Sequence, residues 1–379
     1  MKKKVFLCLF TTFMPLINIH ADYGMIQQPV VDLYGSADGA AGKLLPAMSK
    51  NSEPCPRINQ ALFNETFQIA QWGSQATRII IPWAIYGYDT WGKPLNSYWV
   101  ETKNLFIVDE KYPHHLRCAI PHFADKKDIV TLKRPFTDIR GNTYSVGTQF
   151  VCLKKQSESN CYSVMRLNTQ TNSLEKLAIP KSMAFRFRKL SVVESRKVFV
   201  TLLTDFIQDI SRHKPYTIIP YVWGGGSFTT GYSDNFFEDV SGYHRIEKET
   251  VPLSGYDCSL LVLRFAHMAQ VPYIFKTTAT LEKFGKPFTE TDTLEEGDLI
   301  WLQGHVVVIT DIKNKMVTEA VGYENFLGKV RTVKLEQLLK NISTWDDLID
   351  SYSNKRTVIR LDKFGNDYKE SPVKIFKLC

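Results

Sequence analysis

The chain has 379 residues, of which 44% are hydrophobic, 12% aromatic and 23% charged. These fractions are ordinary for a globular protein and exclude a disordered, collagen-like or coiled-coil chain as the main state. The formal net charge is +8, and at about 100–200 residues per domain the length predicts two or three domains.

The first 21 residues, MKKKVFLCLFTTFMPLINIHA, have the pattern of a secretory signal peptide. Three lysines precede an apolar stretch from Val5 to Ile17, and Ile19 and Ala21 suit a cleavage site before Asp22. The apolar stretch is shorter than the roughly 20 residues that a spanning helix needs, although a short membrane anchor is the alternative. We expect an exported protein, periplasmic or secreted, without stable membrane insertion once the signal is removed.

The remaining charge argues against a nucleic-acid partner. Cleavage would remove three lysines and no acidic residue, which lowers the formal net charge from +8 to +5. No run of five like charges follows, and basic and aromatic residues do not alternate as in nucleic-acid binders. A slightly basic exported protein suits an acidic polymer such as a cell wall better than DNA.

The segment from Val30 to about Pro180 is rich in β-branched and aromatic residues broken by Gly, Asn, Pro and Asp, which predicts short strands. The predicted strands include VVDLY, TFQIAQW, TRIIIPW, SYWVET, NLFIVD, QFVCLKK, CYSVMRL and LEKLAIP. Such spacing favours small barrels or sandwiches. We therefore expect two small β-barrel domains, over residues 22–120 and 121–190.

Six cysteines follow the leader: Cys55, Cys118, Cys152, Cys161, Cys258 and Cys379. Cys152 and Cys161 flank a polar turn in a predicted hairpin, so a cross-strand disulfide between them is a hypothesis, as is a Cys55–Cys118 bridge. The sequence contains no CxxC or HExxH motif, and we predict no metal site.

From residue 191 onward the pattern changes to α+β. Apolar residues four apart predict a helix of about 18 residues within 192–213, and CSLLVLRFAHM predicts another from Cys258. LIWLQ, HVVVITDI and MVTEAVGY predict strands joined by hairpins, the second with its turn at 313–315. KLEQLLKNI predicts a further helix and TVIRLD a last strand.

Cys258 stands in SGYDCSLLVLRF, where Ser254 and Gly255 end one segment and an apolar helical run begins. We expect it at a helix N-terminus, where free N–H groups and the helix dipole stabilise a thiolate and also an oxyanion. Cys258 is therefore a candidate nucleophile. The alternative is a buried structural or disulfide cysteine.

His305 and Glu319 are the candidate base and its partner. His305 begins the predicted strand HVVVITD, and a hairpin turn at 313–315 brings Glu319 near it across the ladder. A carboxylate there would accept one imidazole N–H and fix the tautomer. The alternatives are a surface hairpin histidine and an ordinary edge-strand glutamate.

Four motifs in this order resemble those of the NlpC-type, papain-like cysteine peptidases that cut peptidoglycan stem peptides. The first motif is the tight loop YVWGGG, and the matching residues are Tyr221, Trp223, Gly224 and Gly225; Asp257, Cys258 and Ser259; Gly297, Asp298 and Leu299; and Gly304, His305 and Val306. The resemblance extends from Ile218 to roughly Gly328. VVDLY followed by SYWVE also resembles the bacterial SH3-like domains that precede this domain in the γ-D-glutamyl-L-diamino-acid endopeptidases.

The resemblance implies an α+β chain in which a papain-like catalytic domain over 191–379 follows two SH3-like β-barrels over 22–120 and 121–190. It implies Cys258 as nucleophile, His305 as base, Glu319 as the group that orients the base, and Tyr221 as oxyanion donor. Further implied substrate contacts are Asp257 and Ser259, which would hold the free amine of a terminal L-Ala, together with Trp223 and Tyr98, the latter on the cleft wall.

The sequence departs from the family pattern in three places. Glu319 stands where His is common, Leu260 stands where Gly is common, and an insert occupies 227–253.

The expected function is hydrolysis of the γ-D-glutamyl–diamino acid bond by an exported cysteine endopeptidase. It would act as a monomer on peptidoglycan peptides or muropeptides, with no cofactor. Two alternatives are an amidase or acyltransferase on the same fold, and a wall-binding module with an inactive catalytic domain.

Overall fold

A computed structural model describes residues 23–40, 57–108, 111–153, 160–186, 188–213, 217–230, 232–233, 254–322 and 327–379. The predicted leader over 1–21, Cys55 and most of the insert over 227–253 lie outside these ranges.

Alternating apolar residues build an antiparallel seven-stranded sheet in the N-terminal part of the chain, in the order β3-β2-β8-β5-β4-β1-β9. Its strands are β1 (Tyr23–Ile26), β2 (Val30–Tyr34), β3 (Arg57–Leu62), β4 (Thr66–Gln71), β5 (Ala76–Ile80), β8 (Ser97–Glu101) and β9 (Leu105–Val108). The small hairpin of β6 (Gly87–Tyr88) and β7 (Pro94–Leu95) lies between β5 and β8, and α1 (Ala37–Ala40) follows β2.

A second antiparallel sheet of five strands follows, in the order β15-β14-β13-β10-β16. The elements of this part of the chain are α2 (His114–Arg117), β10 (Ile129–Leu132), β11 (Phe136–Thr137), β12 (Thr143–Tyr144), β13 (Gln149–Cys152), β14 (Cys161–Asn168), β15 (Ser173–Pro180) and β16 (Ala184–Arg186). The chain passes from the first sheet to the second between Val108, the end of β9, and Ile129, the start of β10. That these sheets are two SH3-like barrels stays a prediction.

The predicted hairpin of β13 and β14 is present, but the disulfide between its cysteines is not. The register places Cys152 opposite Val164, three positions away from Cys161. Both cysteines are free thiols. The proposed cross-strand bridge is therefore wrong, because the pairing register separates the two residues.

The remainder of the chain combines helices with an antiparallel eight-stranded sheet in the order β25-β24-β23-β22-β28-β27-β26, in which β21 also pairs with β28. The first elements are α3 (Val192–His213), β17 (Thr217–Ile218), β18 (Gly226–Ser227), β19 (Tyr232–Ser233), β20 (Gly255–Tyr256), α4 (Cys258–Met268), α5 (Thr278–Phe284) and β21 (Lys286–Pro287). They are followed by β22 (Leu299–Leu302), β23 (His305–Asp311), β24 (Met316–Val321), β25 (Lys329–Lys334), α6 (Leu335–Leu338), β26 (Leu339–Lys340), α7 (Trp345–Ser353), β27 (Thr357–Leu361) and β28 (Asp367–Lys377).

The sequence prediction fails at KLEQLLKNI, where only a four-residue helix, α6, forms. Leu339 and Lys340 leave the helix and pair with Arg360 and Ile359 of β27. Tertiary strand pairing thus overrides local helix propensity. In contrast, α3 is longer than expected, at 22 residues.

Strand exceeds helix in the described structure, 41% against 23%, consistent with the expected α+β class. The largest hydrophobic core joins the seven-stranded sheet to the later helices and strands, since Ile79 and Tyr98 share it with Phe199 of α3, Leu263 of α4 and Val308 of β23. In the described part of the chain, no helix is both long enough and apolar enough to cross a membrane.

Candidate active site

Cys258 is the first residue of α4, as the sequence predicts. Asp257 is the N-cap, and its Oδ1 accepts the backbone N–H of Leu260 at 2.6 Å, which fixes the start of the helix. The Cys258 sulfur is buried and accepts the backbone N–H of Val306, next to His305. The helix start and the beginning of β23 therefore meet at the sulfur.

The environment of Cys258 favours the neutral thiol. Burial raises its pKa to about 11, and the neighbouring Asp257 carboxylate acts in the same direction. The Val306 N–H, the Ser259 hydroxyl and the Lys276 ammonium lower the pKa, but they do not offset burial. Burial therefore opposes the thiolate that we expect the helix N-terminus to stabilise, and a base must remove the proton.

His305 and Glu319 are brought together by the hairpin of β23 and β24. The ladder pairs Val308 with Thr318, so His305 and Glu319 lie diagonally on one face of the sheet. The His305 Nε2 lies 2.6 Å from the Glu319 Oε2, and both side chains are buried. An ionised carboxylate only accepts, so Nε2 carries the proton and Nδ1 is the basic nitrogen.

Two arginines complete this cluster. The Arg331 Nε, on the strand next to Glu319, donates to Oε1 at 2.7 Å, and the Arg360 Nη2 lies 3.6 Å from Oε2. Burial alone would raise the pKa of Glu319, but its bond to His305 and the two guanidinium charges lower it to about 2. Burial and the Arg360 charge lower the pKa of His305 despite the Glu319 carboxylate. His305 is therefore a neutral base.

The YVWGGG loop requires its glycines because other backbone segments press against it. A Cβ on Gly225 would lie 2.5 Å from the Gly255 carbonyl oxygen, and one on Gly224, whose φ is +67°, would lie 2.6 Å from the Arg57 carbonyl oxygen. The Trp223 carbonyl accepts the Arg57 Nε at 2.8 Å. The loop is thus held between the N-terminal sheet and the strand that leads into α4.

Tyr221 lies beside that same strand. Its backbone forms a parallel bridge with Tyr256, two residues before Cys258. A Cβ placed on Gly322 would contact the Tyr221 ring at 3.7 Å, so the ring lies over the end of β24. Tyr221 is buried, and Trp223 is partly buried against the same core.

Asp257 and Ser259 flank Cys258, and the Asp257 carboxylate is paired with a cation. Its Oδ2 lies 3.0 Å from the Lys276 Nζ, and both side chains are buried. The Ser259 Oγ lies 3.8 Å from the Cys258 sulfur. The carboxylate for which the resemblance implies pairing with a substrate amine is therefore already paired with an ammonium of the chain itself.

Tyr98 does not lie on a cleft wall. Its side chain is fully buried, and its hydroxyl donates to the Ala84 carbonyl at 2.7 Å. The alternating pattern of β8 directs the ring into the core, so the expected substrate contact from Tyr98 is wrong.

The structure adds Lys276, Arg331 and Arg360 to the residues found from sequence. Arg331 lies directly opposite Glu319 in the ladder. A sequence prediction of strand β25, paired with β24, would therefore have indicated Arg331. Lys276 and Arg360 reach the site from distant loops and strands, and neither belongs to a motif. Among the described residues, no group of three His, Cys, Asp or Glu side chains is placed to hold a metal ion.

No family model matches the chain, and no curated protein matches it. Among solved structures, the chain is similar to NlpC2 from Trichomonas vaginalis with 10% sequence identity and a TM-score of 0.33, over 83% of this chain and 94% of that chain. This similarity is too low to place the chain in a family.

Proposed function

We propose that the protein is a cysteine hydrolase that cuts peptidoglycan stem peptides at the γ-D-glutamyl–diamino acid bond. The observation that supports the chemistry is the contact of the Cys258 sulfur with the Val306 N–H, next to a histidine held by Glu319. A buried thiol, a neutral imidazole and an orienting carboxylate are the parts that acyl transfer requires. The substrate class is what the resemblance of the four sequence motifs implies.

The proposed reaction begins as the His305 Nδ1 removes the Cys258 thiol proton while sulfur attacks the γ-carbonyl carbon. The carbonyl π electrons move to oxygen, and the backbone N–H of Cys258 and the Tyr221 hydroxyl stabilise the oxyanion. The intermediate collapses to a thioester as the C–N bond breaks and His305 protonates the leaving amine. Water then attacks the thioester with His305 as base, which releases the γ-carboxylate and restores the thiol.

Glu319 keeps the imidazole ready for this cycle. Its carboxylate accepts a hydrogen bond from the Nε2–H, so Nδ1 remains the basic nitrogen. The negative charge of the carboxylate also stabilises the imidazolium that forms transiently. The bond from His305 and the charges of Arg331 and Arg360 together lower the pKa of Glu319 to about 2, so Glu319 does not take the proton itself. We place the enzyme outside the cytoplasm on the basis of the leader pattern in residues 1–21.

Mass-spectrometric analysis of L-Ala-γ-D-Glu-diaminopimelate peptides tests the proposal. The wild-type protein should release diaminopimelate-containing fragments, and Cys258→Ala and His305→Ala should abolish release while the fold remains intact. Cys118→Ala is the matched control, since this exposed cysteine belongs to α2's C-terminal end and not to the site. Wild-type cleavage by Cys258→Ala, or cleavage at another bond, would refute the assignment.

A further inference from the structure

A buried ion pair adjoins the nucleophile. Asp257 immediately precedes Cys258, and its Oδ2 lies 3.0 Å from the Lys276 Nζ. Asp257 is 7% exposed and Lys276 is 5% exposed. A buried charge is tolerated when an opposite charge lies next to it, and here the carboxylate and the ammonium neutralise each other.

The pair leaves no net negative charge for a ligand. The second oxygen of Asp257, Oδ1, accepts the Leu260 N–H at 2.6 Å, so both oxygens have donors. A substrate ammonium that approached Asp257 would also approach the Lys276 ammonium. Like charges repel strongly at such a separation when water is excluded, which disfavours a cationic group here.

Lys276 is held in place by the N-terminal sheet region. Its backbone N–H donates to the Ile85 carbonyl at 2.8 Å, and the preceding Phe275 forms a bridge with Ile85. The next residue, Thr277, caps α5 through its hydroxyl and Thr280. Lys276 is thus a fixed part of the site and not a surface lysine that swings away.

Two buried tyrosines lie near the Asp257 carboxylate. Tyr98 and Tyr273 are buried, and the pKa of each phenol is raised by burial and, further, by the Asp257 carboxylate nearby. Neither ring brings a charge that would replace Lys276 as the counterion of Asp257.

We propose that Lys276 determines specificity by supplying, from within the chain, the ammonium that Asp257 would otherwise take from a substrate. The site would then accept stem peptides whose first residue is N-acylated, and it would not depend on a free terminal amine. An acylated nitrogen is neutral and does not meet the Lys276 charge. This inference rests on the proposed function, because it concerns the substrate of the same site.

The first test compares two substrates of the wild-type protein, L-Ala-γ-D-Glu-diaminopimelate and its N-acetyl derivative. We expect kcat/KM for the N-acetyl peptide to equal or exceed that for the free-amine peptide. A preference for the free-amine peptide overturns the proposal. This comparison needs no variant, so it decides the question even if changes at Lys276 prevent folding.

The second test uses Lys276→Met, which frees the Asp257 carboxylate, with Lys276→Arg as the control that retains the charge. In Lys276→Met, the kcat/KM ratio of free-amine to N-acetyl peptide should rise about tenfold, as for a gained charge pair. Lys276→Arg should keep the wild-type ratio. An unchanged ratio in folded Lys276→Met overturns the proposal.

If the proposed function is wrong, the result differs from the one expected when only the role of Lys276 is wrong. If neither peptide is cleaved, the assigned reaction is wrong, and calorimetric binding of the same two peptides to the wild-type protein then decides the role of Lys276. Equal or tighter binding of the N-acetyl peptide supports the inference. Tighter binding of the free-amine peptide, or binding of neither, overturns it.

Discussion

The buried carboxylate of Glu319 contacts His305 and two arginines, and these charges set the pKa values of the candidate site. Arg360 from β27 and Arg331 from β25 face the carboxylate, while His305 contacts it from β23. Cys258 approaches from α4 through the Val306 N–H. The resting site therefore contains a neutral thiol and a neutral imidazole, because burial favours the uncharged form of both.

The acid limb of the pH–rate profile should report His305. Its pKa lies below the ordinary 6.5 through burial and the Arg360 charge, so the base stays unprotonated at neutral pH and is lost only below pH 6.5. Arg360→Gln removes a positive charge, so the pKa of His305 should rise and the acid limb of kcat/KM should move to higher pH. Arg360→Lys keeps the charge and should keep the limb in place. If the acid limb of kcat/KM moves equally in both variants, the charge of Arg360 does not set the pKa of His305.

Glu319→Gln should cost stability as well as activity. The folded-state pKa of Glu319 is about 2 against an ordinary 4.5, so its ionised form stabilises the fold by about 3 kcal/mol above pH 4.5. This contribution is lost as the pH falls from 4.5 to 2.

Urea unfolding at several pH values measures the effect. Glu319→Gln should lower the free energy of unfolding by about 3 kcal/mol at pH 7, and its stability should depend less on pH between 4.5 and 2. Glu336→Gln is the control, because this exposed residue pairs only at the surface with Lys334 and should change stability by about 0.5 kcal/mol or less. Equal stability of Glu319→Gln and wild type at pH 7 would show that the buried charge cluster is not formed.

Among the elements, the YVWGGG loop and β20 depend on close backbone contact. Gly225→Ala would place a Cβ 2.5 Å from the Gly255 carbonyl oxygen, which forces the loop away from the strand leading to Cys258. We expect a loss of about 2 kcal/mol in stability, as for overpacking, and reduced kcat.

Gly35→Ala is the matched control for this substitution. Its Cβ would lie 3.6 Å from the Ile58 side chain, an ordinary contact. Thermal unfolding and turnover of both variants check the prediction. A Gly225→Ala protein as stable and active as Gly35→Ala would mean that the loop is free to shift.

The site elements that the sequence predicts are those whose geometry is local. The turn at 313–315 fixes the hairpin, and the hairpin places Glu319 beside His305. Asp257 followed by Cys258 and an apolar run predicts a helix capped at its N-terminus, and α4 begins there. The sequence does not indicate Lys276, Arg331 and Arg360, because contacts between distant segments leave no periodic signal. The helix α6 is short because Leu339 pairs with β27.

At the level of the whole molecule, the β-rich N-terminal part and the region from residue 191 share one core and a buried polar joint. The Arg264 Nη1 lies 2.5 Å from the Glu65 Oε1, and the Gln60 Oε1 accepts the Gly226 N–H at 2.9 Å. The joint includes the YVWGGG loop, since Arg57 bonds the Trp223 carbonyl. The N-terminal sheet therefore shapes the site as well as covering it.

Residues 191–379 expressed alone should not fold as a stable unit. Removing the N-terminal part would expose the core face formed by Phe199 and Leu263 and leave Arg264 without Glu65. Circular dichroism in urea should show no cooperative transition for the fragment, in contrast to the chain from residue 22 onward. A cooperatively unfolding, active fragment would show that the two parts are independent.

The proposed function requires that Cys258 forms a thioester with the γ-D-glutamyl group while His305 moves the proton. Acid-quenched reactions with L-Ala-γ-D-Glu-diaminopimelate peptides, followed by proteolysis and mass spectrometry, measure this directly. We expect an acyl adduct on the peptide that contains Cys258 in the wild-type protein and no adduct in Cys258→Ala. An adduct on another residue, or turnover that persists in Cys258→Ala, would contradict it.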